Sequence, residues 1–209
     1  MGRFVKFFLG LLYQPLAYFY NFVAFIVSMG RWTNWVESVQ PYIEGPAVLE
    51  LGFGPGHLQE TLAKSYTQCF GIDLSYQMAK ISLSRLRKVG VPQKLAQANA
   101  MQLPFPVASF DCLISTFPTN YVISSLTILD AKRVLKPSGK WVILPAAWII
   151  PNSIKNSLFH LLFNITGQSP KWNSDWTIPF INGGFKIFEE NWVSLKDSKV
   201  LIIVLEPIL

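Results

Sequence analysis

A strand that runs straight into alternating glycines constrains this chain more than any other feature. The segment is Val48-Leu49-Glu50-Leu51-Gly52-Phe53-Gly54-Pro55-Gly56-His57-Leu58. Glycine gives the backbone conformations and close approaches that side chains block, so ligand atoms can come near the main chain there. In open α/β sheets such a loop lies at the carboxyl end of a strand, where ligands bind. The dinucleotide fingerprint G-x-G-x-x-G would need glycine at position 57, which is His57. That disfavours an NAD(P) or nucleotide-sugar site.

The pattern around the loop predicts a doubly wound α/β fold. Ala47–Leu51, Cys69–Ile72, Phe110–Ser115 and Lys140–Leu144 are short, nearly continuous apolar runs, as buried parallel strands require. His57–Tyr66, Ser75–Val89 and Ile123–Leu135 read as helices between them, and Ser75 is placed as an N-cap. Asp73 ends the second strand, where a carboxylate can accept both hydroxyl hydrogens of a ribose. After Leu144 the alternation fails. Pro145 to Gly184 holds an apolar piece, Ile154–Ile165, and a loop with Trp172, Trp176 and Phe180. Phe185–Leu195 and Val200–Glu206, separated by Lys196-Asp197-Ser198, read as a closing antiparallel hairpin. No repeat or linker divides the chain into two ordinary domains.

Composition bears on where such a domain works. Of the 209 residues, 51% are hydrophobic and 14% charged, against about 25% charged in a typical soluble domain. Disorder is excluded. Eighteen Lys+Arg against 12 Asp+Glu leave a net charge of +6 without any dense basic run, which points to an anionic surface rather than to nucleic acid. Phe7–Met29 carries no charge and is flanked by Arg3, Lys6 and Arg31; Pro15 divides it. We read residues 1–30 as an apolar helical segment lying on a membrane or on the domain, a true span of the bilayer being the minor alternative for a run of this length, and residues 31–209 as the domain, with a cover insertion at 145–184. The expected location is the cytoplasmic side, membrane-associated through that segment. Cys69, Cys112, His57 and His160 supply neither a disulfide framework nor a zinc site, and no metal is expected.

With these residues in view, the chain resembles the class I S-adenosylmethionine-dependent methyltransferases, nearest the ubiquinone/menaquinone-biosynthesis-like small-molecule group. Ala98-Asn99-Ala100-Met101-Gln102-Leu103-Pro104-Phe105 is similar to the family's D-A-x-x-L-P-F segment. Arg133-Val134-Leu135-Lys136-Pro137-Ser138-Gly139 is similar to its R-V-L-K-P-G-G turn, and Ser109–Ile114 to its fourth strand. Tyr20-Asn21, Ser28-Met29-Gly30 and Trp35 resemble its Y-D…S-x-G…W element. The resemblance implies a seven-stranded sheet of order 3-2-1-4-5-7-6 and S-adenosylmethionine as cofactor.

It also implies roles for single residues. Gly52, Phe53, Gly54 and Gly56 wrap the methionine part, with Glu50 near its amino group. Asp73 holds the ribose, Leu74 and Met78 pack on the adenine, Asn99 faces the adenine amino group, and Ala100 offers its backbone. Ser115, Thr116 and Phe117 line the far side. The chain departs from the pattern at Asn99 and Asn21, each in place of Asp, and at Ser138 in place of Gly.

No dedicated base announces itself. His57 reads as a helix-start residue, His160 as a histidine on an apolar helix, and both cysteines as core hydrophobes. Tyr121, after the fourth strand, is the candidate catalytic residue. Trp148, Phe159, Trp172, Trp176 and Phe180 line an apolar pocket, sit at a lipid interface, or simply complete the core. The expected function is methyl transfer to a small lipophilic acceptor, with no obligate protein partner. A non-catalytic S-adenosylmethionine-binding module is the alternative.

Overall fold

The computed structural model of the protein describes residues 28, 30–66, 68–91, 94–150 and 174–208. Apart from Ser28, the Phe7–Met29 run lies outside these residues, as do Ile154–Ile165 with His160, and Trp172. Seven strands form one sheet in the order 3-2-1-4-5-7-6, as the resemblance implies.

The centre is β1 (Ala47–Leu51), every residue of which is buried. It pairs in parallel with β2 (Gln68–Asp73) on one side and β4 (Phe110–Thr116) on the other. Two-sided burial explains why these strands read as apolar runs rather than as alternating patterns. Between them lie α2 (His57–Ser65) and α3 (Tyr76–Lys88), with α1 (Trp32–Glu37) ahead of β1. Ser75 caps α3 as its sequence suggests, its hydroxyl accepting the Met78 N–H at 3.3 Å.

The sequence reading omitted β3 (Leu95–Gln97) as an element. It has three residues, two of them exposed, and so offers no apolar run to detect. It pairs with β2 at the sheet edge. After α4 (Ser125–Val134), β5 (Leu135–Ile149) runs well past the expected end at Leu144. Its register with β7 (Ser198–Pro207) shifts between Ile143 and Ala146, and Pro145, which cannot donate to a ladder, falls in that irregularity. Residues 145–149 therefore belong to the sheet rather than to a cover.

The hairpin closes as expected, with β6 (Phe185–Leu195) antiparallel to β7, and β7 inserted between β5 and β6. Two apolar clusters cover the sheet. One joins alternate strand residues to Ile128, Ala131 and Val134 of α4 and to Phe180 of α5 (Ile178–Asn182). The other joins the remaining strand residues to Trp35 and Val36 of α1 and Leu58 and Leu62 of α2. Trp176 and Phe180 complete the core instead of lining a pocket. Phe180 is fully buried with its ring 5.4 Å from Trp141, and Trp176 packs on it at 5.1 Å. Trp148 packs on Trp192 at 4.4 Å. Ser138 has no positive φ, so the serine in place of glycine is unstrained.

Candidate functional site

The carboxyl ends of β1, β2 and β4 open into a cleft of ≈ 560 Å³. The glycine turn forms its floor. Gly52 and Phe53 N–H groups both donate to Ile72 O, at 2.8 and 3.2 Å, which ties the turn to β2. Gly52, Gly54 and Gly56 all have positive φ, at 78°, 52° and 78°. They serve different ends. A Cβ at Gly54 would meet no protein atom within 4 Å, so its backbone is bare toward open space. A Cβ at Gly52 would stand 2.6 Å from the Tyr121 hydroxyl, and one at Gly56 2.1 Å from Ser82 Oγ. Gly56 thus lets α2 and α3 meet, and it does not line the cleft.

Asp73 is the charged group at the far end. It is 7% exposed; Oδ2 accepts the Gly54 N–H and Oδ1 the Ser75 N–H, each at 2.8 Å. Burial raises its carboxyl above the usual range, and the two backbone N–H groups oppose the rise. Each oxygen keeps a further lone pair for a ligand.

Glu50, 1% exposed, also lines the cleft. Burial pushes its carboxyl up to about 8; the Gln59 amide, donating to Oε2 at 2.7 Å, pulls it down, and the nearby Asp73 charge adds to the rise. His57 is pushed the other way, to about 4, by burial first and the neighbouring Arg85 second, so its ring is neutral near pH 7. No Lys or Arg stands among the described residues that line the cleft.

The upper wall is apolar and aromatic. Phe117 follows β4 with φ 46°, a left-handed conformation that costs roughly 1–2 kcal/mol in a non-glycine residue. Its N–H donates to Leu144 O at 2.7 Å, and its ring stacks on Trp32 of α1 at 4.6 Å. A residue held in such strain is over-determined by its surroundings. Helix α1 is in turn fastened to the β6–β7 turn: Trp35 Nε1–H donates to Ser198 Oγ at 2.8 Å, and Arg31 pairs with Asp197 at 3.3 Å.

Most of the residues singled out from sequence meet in this cleft: Glu50, Gly52, Phe53, Gly54, Asp73, Leu74, Asn99, Ala100, Thr116, Phe117 and Tyr121. Met78 and Ser115 do not. Met78 is fully buried on the inner face of α3, and Ser115 turns into the core, where its Oγ accepts Trp141 Nε1–H at 3.1 Å. Tyr76 and Gln77, the two residues just before it, line the cleft instead. Trp32 and Val36 were also missed, although the apolar spacing of Trp32, Trp35 and Val36 was a usable signal. Asn99 is exposed, and its Oδ1 already accepts the Met101 N–H at 2.9 Å. Tyr121 is half-buried and donates its hydroxyl proton to Leu51 O at 2.7 Å.

The donor set suits the cofactor implied by the resemblance. A bare glycine backbone, the Asp73 carboxylate with lone pairs to spare and the buried acid Glu50 face one cavity.

Comparison with known proteins agrees. Residues 49–143 match the family described as "Methyltransferase domain". The chain is 32% identical over 112 residues to the uncharacterised methyltransferase YdaC of Bacillus subtilis, covering 51% of this chain and 60% of that protein. It is 30% identical over 125 residues to the demethylmenaquinone methyltransferase of Tropheryma whipplei, covering 59% of this chain and 51% of that protein. The aligned stretch therefore spans between half and two-thirds of these relatives' own length.

Among solved structures, an S-adenosylmethionine-dependent methyltransferase from Clostridium acetobutylicum superposes with TM-score 0.63 at 14% identity, over 91% of this chain and 99% of that one. Geranyl diphosphate C-methyltransferase from Streptomyces coelicolor, solved with S-adenosyl-L-homocysteine, gives 0.63 at 12% identity, over 84% and 79%. At these identities the structures speak for the fold. The family match opens inside β1 and ends inside β5, so it encloses the glycine turn, Asp73 and Asn99. By that segment and its strand order, the chain has the fold of the class I S-adenosylmethionine-dependent methyltransferases, and its matched segment is similar to proteins of the ubiquinone/menaquinone-biosynthesis group.

Proposed function

We propose that this chain transfers a methyl group from S-adenosylmethionine to a small lipophilic acceptor. The observation that carries this reading is the union, in one cleft, of the Gly54-bound Asp73 carboxylate, the buried Glu50 and an apolar Trp32–Phe117 wall. When bound, S-adenosylmethionine supplies an electrophilic methyl carried on a sulfonium. The chain's task is alignment and, for an oxygen or nitrogen acceptor, proton removal.

In this reading Asp73 receives the ribose hydroxyls, Glu50 the ammonium group, and the Gly52–Gly54 backbone the methionine part. Leu74, Tyr76 and Asn99 flank the adenine, with Ala100 beside them. Phe117, Thr116 and Trp32 form the acceptor side. Tyr121 already gives its proton to Leu51 O, so it orients an acceptor through its remaining lone pairs instead of shuttling protons. His57, neutral and held at about 4, is a poor base near pH 7.

A lipophilic acceptor is supported by the aromatic wall and by the lack of Lys or Arg among the described lining residues. Attachment to an anionic membrane surface on the cytoplasmic side is supported by the uncharged Phe7–Met29 run, its basic flanks and the net charge of +6. Among the described residues no helix is long and apolar enough to cross a membrane.

The test incubates the protein with methyl-labelled S-adenosylmethionine and a total lipid extract, then follows label into the organic phase. Label appearing in a lipid, and not in water-soluble metabolites, is the expected result. Tight cofactor binding without transfer to any lipid or metabolite fraction would instead favour a non-catalytic binding module.

A further inference from the structure

We infer that Gln59 is a positioning residue that reserves one oxygen of Glu50 for a cationic group of the ligand, so that binding expels a proton from the cleft. This deepens the proposed function and rests on it. Gln59 sits in the first turn of α2 and is 2% exposed. Its amide is fully engaged: Nε2 donates to Glu50 Oε2 at 2.7 Å and to Phe70 O at 3.3 Å, and Oε1 accepts from Cys69 Sγ at 3.5 Å. Rotating the amide by half a turn would set its oxygen against two acceptors, so the orientation is fixed. Glu50 Oε2 is thereby committed to the protein. The cleft-lining carboxylate is left with Oε1 for a ligand, and that oxygen has no hydrogen bond to the described residues.

The charges around Glu50 explain the proton. Burial raises its affinity for one, and Asp73, at the end of β2, adds to the rise; the Cys69 thiol on β2 is itself pushed up to about 12 and stays neutral. On the other flank β4 presents Ile114, which carries no charge. Opposing these stands the Gln59 N–H, which favours the ionised form. Near pH 7 the empty site therefore holds a protonated Glu50. When an ammonium group enters, the carboxyl O–H bond breaks, the proton passes to solvent, and the carboxylate pairs with the ammonium. Without Gln59 the same exchange needs a higher pH.

Calorimetry in buffers of different ionisation enthalpy reads this directly. S-adenosylhomocysteine, which carries the ammonium, should release close to one proton per site at pH 7 and clearly less at pH 8.5. Methylthioadenosine, which lacks it, should release none. In Gln59→Leu the affinity for S-adenosylhomocysteine should fall about tenfold at pH 7, the equivalent of one pKa unit, and recover in part at pH 8.5. Methylthioadenosine should bind that variant as it binds the wild type. Gln59→Met keeps the side-chain length and serves if Gln59→Leu does not fold.

Equal losses for the two ligands, or the same loss at both pH values, would reduce Gln59 to a packing residue and overturn the inference. So would S-adenosylhomocysteine binding to the wild type without proton release. Failure of the wild type to bind either ligand strikes the proposed function itself, a different and separable result.

Discussion

The Asp73 carboxylate accepts the Gly54 N–H at 2.8 Å, so the end of β2 and the turn after β1 form one hydrogen-bonded unit. The residue assigned to the ribose also sets the shape of the loop assigned to the methionine part. Asp73→Ala removes a charged acceptor from both and should weaken S-adenosylhomocysteine binding by about 1.5–3 kcal/mol or more, roughly ten- to a hundredfold. Asp73→Asn should do little better, because one amide N–H must then face Gly54 or Ser75. Calorimetry showing unchanged affinity in Asp73→Ala would remove the ribose assignment.

Gly52 and Tyr121 should be energetically coupled. A Cβ at position 52 would crowd the Tyr121 hydroxyl at 2.6 Å while the ring carbon bearing it stands at 3.4 Å. Tyr121→Phe alone loses the bond to Leu51 O, at about 0.5–1.5 kcal/mol. Gly52→Ala adds left-handed strain to the clash. The double variant should therefore be more stable than the sum of the single losses predicts, by about 1 kcal/mol, in denaturant unfolding. Strict additivity would mean that the hydroxyl yields freely.

Glu50 gives a pH dependence with a definite sign. Its carboxyl stands at about 8 in the folded chain against 4.5 ordinarily. Between those values the folded chain holds a proton that the unfolded chain has lost, so stability falls as pH rises, by up to about 1.4 kcal/mol per pH unit. Glu50→Gln cannot ionise and should lack that fall. Urea unfolding at pH 5.5 and 7.5 should show the variant gaining on the wild type at the higher pH; a constant gap would contradict the burial argument.

Asn99→Asp should be tolerated. The Met101 N–H now held by Asn99 Oδ1 can be held equally by a carboxylate, and the position is exposed. Stability should change by less than about 0.5 kcal/mol, and S-adenosylhomocysteine should bind as well or more tightly, since a charged acceptor bonds more strongly. A loss beyond about tenfold, roughly 1.4 kcal/mol, would show that Asn99 serves another purpose.

The sequence exposes whatever is periodic or steric and conceals whatever depends on direction. β1, β2 and β4 were legible because burial on both faces makes them apolar throughout. Ser75 was legible as a cap because a free N–H follows it. β3 was not, since pairing alone holds it and its side chains are mostly exposed. Pro145 looks like a stop, yet a register shift absorbs it. Within the site, spacing located the glycines without distinguishing Gly54, which faces open space, from Gly56, which faces Ser82. Resemblance named Met78 and Ser115, but both point into the core, a matter of side-chain direction that no motif records.

The place of β7 governs how the molecule can be made. Ribosomes deliver β5 before β6 and β6 before β7, yet β7 must lie between the other two. While β7 is still in the exit tunnel, β6 has no neighbouring strand, β5 has only β4, and the Ser198 hydroxyl that holds Trp35 has not emerged. The cleft wall built on α1 is therefore among the last parts to set, and it waits on pairing between distant stretches of chain, a slow kind of step. Nascent chains stalled short of β7 should expose the open edge of β5 to chaperones, and the binding site should appear only once β7 has emerged.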